Sequence, residues 1–149
     1  MQQNSKKLIA TNKKAFFEYL IFEKYQAGIV LTGTEIKSIR MGNINLKDSF
    51  VKILDGEVFL LNCHIGLYDK GNRFNHEEKR QRKLLLNKKE ILKIFGKVKQ
   101  DNYTIVPTEM YFVGALAKLE IALAKGKKLH DKRESIKKRE LDRDIKRLK

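Results

Sequence analysis

Three clusters of basic side chains are the residues of this 149-residue chain best suited to chemistry. The richest spans residues 79–89, KRQRKLLLNKK, and has six Lys or Arg in eleven positions. Arg offers paired planar donors that match a phosphate, and Lys offers a flexible point charge. The others comprise Lys6, Lys7, Lys13 and Lys14, and then Lys125, Lys127 and Lys128. They predict binding of a polyanion, although the first cluster is equally consistent with a solvated loop whose leucines face the core.

Residue types used in catalysis or metal binding are present but poorly spaced. His64, His76 and His130 lack the spacing of metal ligands, and we expect His76 to lie in a solvated loop. Cys63 and His64 adjoin a predicted strand and therefore point to opposite faces, so we expect a buried structural thiol. The sequence has no glycine-rich phosphate loop. These patterns predict a protein that is not an enzyme and holds no cofactor and no metal.

The net charge narrows the kind of partner. The chain has 33 Lys and Arg against 18 Asp and Glu, a formal net charge of +15. Such an excess repels itself in the compact state and favours a partner of opposite sign. Residues 125–149 carry +7 and the first 124 residues carry +8. The partners to consider are nucleic acid, an anionic membrane surface and an acidic protein, and we favour structured RNA.

Several other classes of protein are excluded by composition. A single cysteine rules out an internal disulfide framework. No run approaches the ~20 apolar residues of a membrane span. The first residues lack the apolar stretch of a signal peptide, so we expect a cytoplasmic protein.

The elements that position the basic clusters follow from local patterns. Residues 16–31 are predicted to form a long strand bent near Gly28. Thr32 and Glu35 form a capping box that starts a short helix ending at Gly42. Asp55-Gly56 is typical of a type I′ turn, which predicts a hairpin of strands 49–54 and 57–62.

The second half of the chain is predicted in the same way. Residues 66–82 form a long loop, and a helix begins at Asn87 and ends at Gly96, with Ile91, Leu92 and Phe95 on its apolar face. A strand stops at Pro107, and residues 110–124 form two strands broken near Gly114. The pattern predicts a mainly β fold with short helices, an antiparallel barrel of oligonucleotide-binding (OB) type. The aromatic residues considered as stacking platforms for bases are Tyr68, Phe74, Tyr103, Tyr111 and Phe112.

The last segment differs from the rest. Its apolar residues form one thin helical stripe, made of Leu129, Ile136, Leu141, Ile145 and Leu148. So thin a stripe cannot offset the entropy of ordering a highly charged segment. We therefore expect a basic tail that is disordered alone and helical on a partner, the alternative being a solvated helix packed on the body.

Several motifs resemble one known family along nearly the whole chain. They include NKKAFFEY at 12–19, YQAGIVLTGTEIKSIRMG at 25–42, FNHEEKRQRKLLLNKKEI at 74–91 and AKGKKLHDKRESIKKRE at 124–140. The chain resembles the SsrA-binding protein (SmpB) family, the protein partner of transfer-messenger RNA (tmRNA) in bacterial trans-translation.

The resemblance implies an OB-like body, residues 1–130, that binds the tRNA-like domain of tmRNA. It also implies delivery to the A site of a stalled ribosome, where the protein takes the place of an anticodon stem. By the same resemblance we expect the basic tail, residues 131–149, to become helical in the empty mRNA channel. The notable departure from the family is Gln26, where members often carry Glu on the RNA side.

The resemblance and the basic clusters together give the expected site residues. The RNA-binding residues are Asn12, Lys13, Gln26, Glu35, Lys37, Arg40, Lys83, Leu85, Lys118, Lys125, Lys127 and Lys128. The ribosome-contacting residues are His130, Asp131, Lys132, Arg133, Ile136, Lys137, Arg139, Ile145, Arg147 and Leu148. The alternatives are a general single-strand RNA-binding barrel and a structural ribosomal protein.

Overall fold

The structure is a computed structural model that describes residues 5–69 and 75–127. Its strands are β1 (Lys6–Thr11), β2 (Tyr19–Ile29), β3 (Ile44–Asn45), β4 (Phe50–Leu54), β5 (Glu57–Leu61), β6 (His64–Ile65), β7 (Arg82–Leu85), β8 (Thr104–Val113) and β9 (Leu116–Gly126). Its helices are α1 (Lys13–Glu18), α2 (Gly33–Arg40) and α3 (Lys88–Asp101).

Six antiparallel strands close into a barrel. They follow the order β8-β4-β5-β7-β2-β9, and β9 pairs back to β8. The free part of the β8 edge, beyond its pairing with β4, takes β1 as an additional strand. The predicted fold, a mainly β, OB-like antiparallel barrel with short helices, is confirmed.

The barrel interior is filled by alternate residues of its strands. On β9, Leu119, Ile121 and Leu123 are almost completely buried, as period-two alternation requires. Ile39 of α2 and Ile94 of α3 belong to the same apolar cluster. Each such side chain contributes about 1.5–3 kcal/mol of burial free energy. This core holds the strands that carry the exposed cations in a fixed register.

Local turn and cap patterns predicted several elements correctly. Asp55 and Gly56 both have positive φ, 51° and 77°, between the paired strands β4 and β5. The capping box that starts α2 is present, with Thr32 and Glu35 bonding each other's backbone. Asn87 caps α3 by accepting from the Glu90 amide.

Three boundary predictions are wrong. Phe16 belongs to α1, not to a strand, because Asn12 caps that helix and its side chain accepts from the Ala15 amide. Gly96 does not end α3, which continues to a left-handed Asn102. Pro107 does not stop a strand, since β8 runs through it beside a register shift, where strands admit proline.

Smaller differences concern faces and bends. The buried face of α3 contains Ile94, whereas Leu92 is 62% and Phe95 40% exposed. The irregularity of β2 lies between Ile21 and Lys24 rather than at Gly28. The two-residue strands β3 and β6 pair within the stretch between α2 and β7, and sequence patterns did not predict them.

Some predictions lie outside the described residues. These are the predictions for Phe74 and Lys128 and those for the tail, including all ten expected ribosome-contacting residues. Within the described residues, no helix is long and apolar enough to cross a membrane.

Candidate nucleic-acid interface

Gly28 joins two predicted site residues that are far apart in sequence. It pairs with Leu85 on β7 and with Lys118 on β9, and directly opposed residues project to the same face of a sheet. A Cβ on Gly28 would lie 3.3 Å from the Leu85 Cβ, so Leu85 packs over a bare stretch of backbone. Leu85 remains 53% exposed there. The result is an exposed apolar side chain and a cation side by side on the outer barrel wall.

Gln26 lies in the next row of the same face. It pairs with Glu120 on β9, and its Nε2 donates to Glu120 Oε1 at 3.2 Å. Its Oε1 accepts from the Tyr111 hydroxyl. We call Gln26, Leu85 and Lys118, arranged around Gly28, the strand face.

Glu120 lies beside Gln26 on the same face and holds the strand face in place. It is only 8% exposed, and Thr108 Oγ1 donates to its Oε2 at 2.6 Å. Burial alone would raise the pKa of Glu120, but the hydrogen bonds from Thr108 and Gln26 and the nearby Lys24 charge lower it overall. Glu120 is therefore a carboxylate near neutral pH, and it fixes the Gln26 amide in orientation.

Two predicted cations come from the last turn of α2. Lys37 and Arg40 are exposed, and each lies over an aromatic ring. The Lys37 Nζ is 5.3 Å from the Tyr68 ring centre, and the Arg40 Cζ is 5.6 Å from that of Phe112. A cavity of about 670 Å³ beside Arg40 is also lined by Lys7. A phosphate in this cavity would meet two cations.

Glu35 is not on the surface, so the expectation of a surface contact there is wrong. Its side chain is fully buried and accepts from Arg82 Nε, from Arg80 Nη2 at 2.6 Å and from the Thr32 amide at 2.8 Å. Burial favours a higher pKa for Glu35, but these hydrogen bonds lower it overall. Glu35 thus positions the N-terminus of α2 and the partly exposed Arg80.

Asn12 also has a structural role rather than an exposed one. It is 4% exposed, its Oδ1 caps α1, and its Nδ2 donates to the Pro107 carbonyl at 2.9 Å. Both polar atoms of its side chain are thereby used inside the protein. Lys13, the next residue, is exposed.

The remaining predicted lysines divide between two regions. Lys83 is exposed on β7, two residues from Leu85, and its Nζ lies 3.2 Å from Glu57. Lys125 and Lys127 lie at or just beyond the other end of β9. Seven residue steps along the strand place Lys125 about 23 Å from Lys118. Lys83 therefore extends the strand face, whereas Lys125 does not belong to it.

The residues first considered for catalysis are held in structural contacts. Cys63 is buried, and burial raises the pKa of its thiol to about 12, so it is not a nucleophile. His76 is buried rather than solvated, because its ring bonds the Thr34 hydroxyl and the Ile65 carbonyl, both at 2.9 Å. Over residues 5–69 and 75–127, no three His, Cys, Asp or Glu residues are grouped to hold a metal ion.

Sequence reasoning missed several residues that shape this surface. Tyr111 was considered as a stacking platform but is buried, and its hydroxyl holds Gln26. Thr108 and Glu120 were not assigned a role, because their contacts depend on the pairing of β8 with β9. The one sequence signal for this surface is Gly28, because a glycine within an apolar strand often marks a place where another side chain packs closely, as Leu85 does here.

The strands form a closed antiparallel barrel that carries cations on its outer face, which is the architecture of a small basic domain of the OB-like class. The chain belongs to the SmpB protein family, whose model matches residues 9–149. The predicted resemblance is thereby confirmed.

Individual relatives agree along nearly their full lengths. The SsrA-binding protein of Carboxydothermus hydrogenoformans is 56% identical over 139 residues, which is 93% of each chain. That of Geobacillus kaustophilus is 54% identical over 147 residues, 99% of this chain and 95% of the relative. A solved structure described as "tmRNA-SmpB: a journey to the center of the bacterial ribosome" superposes with a TM-score of 0.69 and 42% identity. It covers 85% of this chain and 93% of the other.

Proposed function

We propose that this protein binds the tRNA-like domain of tmRNA through the strand face and carries it to stalled ribosomes for trans-translation. The observation that carries the proposal is the convergence of Gln26, Leu85 and Lys118 around Gly28. These residues come from three strands, and the resemblance to SmpB assigns each of them to RNA binding. Further support comes from the curated relatives, which are named SsrA-binding proteins.

Each side chain on this surface has a distinct part in the proposed contact. Lys118, Lys83, Lys37, Arg40 and Lys13 bind phosphates, whereas Leu85 packs against a sugar or base edge. Glu35 and Asn12 act as positioning residues. Gln26 presents an uncharged amide where many family members have a carboxylate, so this contact is made without electrostatic repulsion of RNA.

The proposal also divides the chain by role. Residues 1–130 form the RNA-binding body, and residues 131–149 act on the ribosome. The residues proposed for decoding-centre contacts are His130, Asp131, Lys132 and Arg133, and those for the mRNA channel are Ile136, Lys137, Arg139, Ile145, Arg147 and Leu148. In this role the protein is a cytoplasmic binding factor and not an enzyme.

A binding measurement with matched variants tests the strand face. The double variant Leu85→Ala, Lys118→Ala is titrated with the isolated tRNA-like domain and with random RNA of equal length. We expect its affinity for the tRNA-like domain to fall at least about tenfold, because both an apolar contact and a phosphate contact are lost. Affinity for random RNA changes far less.

The control is Leu54→Ala, Lys47→Gln, which removes another exposed leucine and another exposed lysine. It should bind the tRNA-like domain like the unsubstituted protein. Equal affinity of the unsubstituted protein for both RNAs would contradict the proposal and favour a general RNA-binding barrel.

A further inference from the structure

Four aromatic rings form a surface at the end of the barrel where β9 finishes. Phe22 and Tyr103 meet edge to face, with ring centres 5.2 Å apart. Tyr103, Phe50 and Phe95 line one groove of about 330 Å³ between α3 and β4. Phe22 is 45% and Phe95 40% exposed, the highest values among the aromatic side chains that the structure describes. We call Phe22, Phe50, Phe95 and Tyr103 the aromatic patch.

A lysine lies over three of these four rings. The Nζ of Lys52 is 5.8 Å from the centre of Phe50, that of Lys99 is 5.0 Å from Phe95, and that of Lys125 is 4.6 Å from Tyr103. Cations at such distances are attracted by the ring faces and remain within reach of an external anion. The aromatic patch is therefore rimmed by positive charge.

The acidic side chain next to Phe22 in sequence is already compensated. Glu23 Oε1 accepts from Lys97, its Oε2 accepts from the Tyr25 hydroxyl, and Lys93 Nζ lies 3.6 Å from that same Oε2. Glu23 thus adds little net negative charge that would repel a polyanion. The charge of the rim matches a polyanionic ligand.

The aromatic patch is separate from the strand face. Lys125 lies at the aromatic patch and Lys118 lies on the strand face, and the two residues are about 23 Å apart along β9. Phe22 lies within the register shift of β2, between Ile21 and Lys24, whereas Gln26 and Gly28 lie after it. A single rigid contact with the strand face does not cover both.

From these observations we infer that the aromatic patch is a second RNA-binding surface, one that takes an unpaired segment of RNA. Exposed rings accept bases of any sequence by stacking, and neighbouring lysines bind the phosphates between them. An acidic protein segment would pair with the lysines but would leave the exposed faces of Phe22 and Phe95 without their best partners. The inference goes beyond the proposed function, because it needs neither tmRNA nor the ribosome.

An unpaired oligonucleotide tests this inference directly. The full chain is titrated with fluorescent oligo(rU) of about eight nucleotides, a length within the range of OB-type sites. The variant Phe22→Leu, Phe95→Leu keeps apolar bulk and so keeps the packing, but it removes two stacking faces. We expect its affinity for the oligonucleotide to fall about tenfold or more, with binding of the tRNA-like domain unchanged.

The lysines give a second readout. Lys52→Gln with Lys99→Gln should lower the slope of log affinity against log salt for the oligonucleotide by about 1.4, since each lost contact to a single strand contributes roughly 0.7. The matched controls are Leu92→Ala, an exposed leucine of the same helix, and Lys88→Gln with Lys89→Gln at its other end. These controls should leave oligonucleotide binding unchanged.

Three outcomes would overturn the inference. The first is no oligonucleotide binding by the unsubstituted chain, and the second is binding that the Leu85, Lys118 variant weakens but the Phe22, Phe95 variant does not. The third is an acidic peptide that competes fully for the patch while RNA does not. A loss of tRNA-like-domain binding only in the Leu85, Lys118 variant supports the proposed function independently of these results.

Discussion

At the scale of single residues, two buried carboxylates organise a protein with an excess of positive charge. Glu35 is enclosed by two arginines and a helix N-terminus, and Glu120 is enclosed by Thr108, Gln26 and Lys24. Neither is accessible enough to repel RNA strongly. Each instead orients the side chains that surround it.

Replacing Glu35 by Gln should destabilise the protein strongly. Arg82 is 0% exposed, and without the carboxylate its charge is buried and no longer neutralised. We expect the free energy of unfolding to fall by about 3–5 kcal/mol, as when one partner of a buried ion pair is removed. Denaturant unfolding measures this change. Glu57→Gln is the control, since its exposed pair with Lys83 is worth at most about 1 kcal/mol.

The difference in unfolding free energy between the unsubstituted protein and Glu35→Gln should also depend on pH, and its direction follows from the pKa of Glu35. The pKa of Glu35 is lower in the folded protein than its ordinary value of 4.5. A carboxyl group of this kind stabilises the fold above its unfolded pKa and loses that contribution as the pH falls toward its folded pKa. The stability gap between the unsubstituted protein and Glu35→Gln should therefore narrow below about pH 4.5. A gap that stays constant down to about pH 3 would contradict this assignment.

Gln26→Glu tests the other carboxylate. It places a second negative charge at hydrogen-bond distance from Glu120, so one carboxyl of the pair must take up a proton or repel its neighbour. We expect about 1–3 kcal/mol of destabilisation at neutral pH, since the part-buried hydrogen bond from Gln26 to Glu120 is also lost. Thermal unfolding reports the effect. The double variant Gln26→Glu, Glu120→Gln restores one amide beside one carboxylate and should recover most of the stability.

At the scale of elements, α3 extends beyond the glycine that was predicted to end it. A Cβ at Gly96 would meet nothing within 4 Å, and Val98, further along, packs on the core. The helix continues because packing of its second half offsets the weak helix propensity of one glycine.

Gly96→Ala should therefore stabilise the protein. A helical glycine costs about 0.5–1 kcal/mol relative to alanine, and here the methyl group has open space. Gly42→Ala should do the opposite, because Gly42 follows α2 at a φ of 78°, where alanine is strained. Unfolding free energies of the two variants should change with opposite signs, and a stabilised Gly42→Ala would refute the argument.

The elements also indicate how far the sequence alone could lead. Asp55-Gly56, Thr32 with Glu35, and Asn87 act within a few residues, so their patterns predicted the hairpin and both helix starts. The contact of Glu35 with Arg82 spans 47 residues and depends on the pairing of β7, which no local pattern records. The residues of the strand face were predicted to bind RNA only through the family resemblance. That they lie next to one another follows from the register of three strands, which the sequence alone does not show.

At the scale of the whole molecule, the charge of +15 is spread over distinct surfaces and a basic final segment. Removing residues 131–149 lowers the net charge by four. If that segment acts only on the ribosome, the truncated protein binds the tRNA-like domain with unchanged affinity and an unchanged salt slope.

The same truncated protein should no longer support tagging of peptides on stalled ribosomes. A salt slope that falls by several units on truncation would show that the final segment contacts the tRNA-like domain, because each lost phosphate contact contributes about 0.7–0.9. Lys118→Gln serves as a reference, with an expected change of a little under one.

The position of β9 in the barrel has a consequence for how the protein is made. β9 pairs with β2 on one side and with β8 on the other. Its Gly126 pairs with Tyr19 of β2, so β2 has to pair with a strand more than one hundred residues further along the chain. Contacts of such sequence separation form slowly. During synthesis the edge of β2 that pairs with β9 therefore remains unpaired until β9 has been made. The strand face needs Lys118 beside Gly28, so it forms only after β9 has paired with β2.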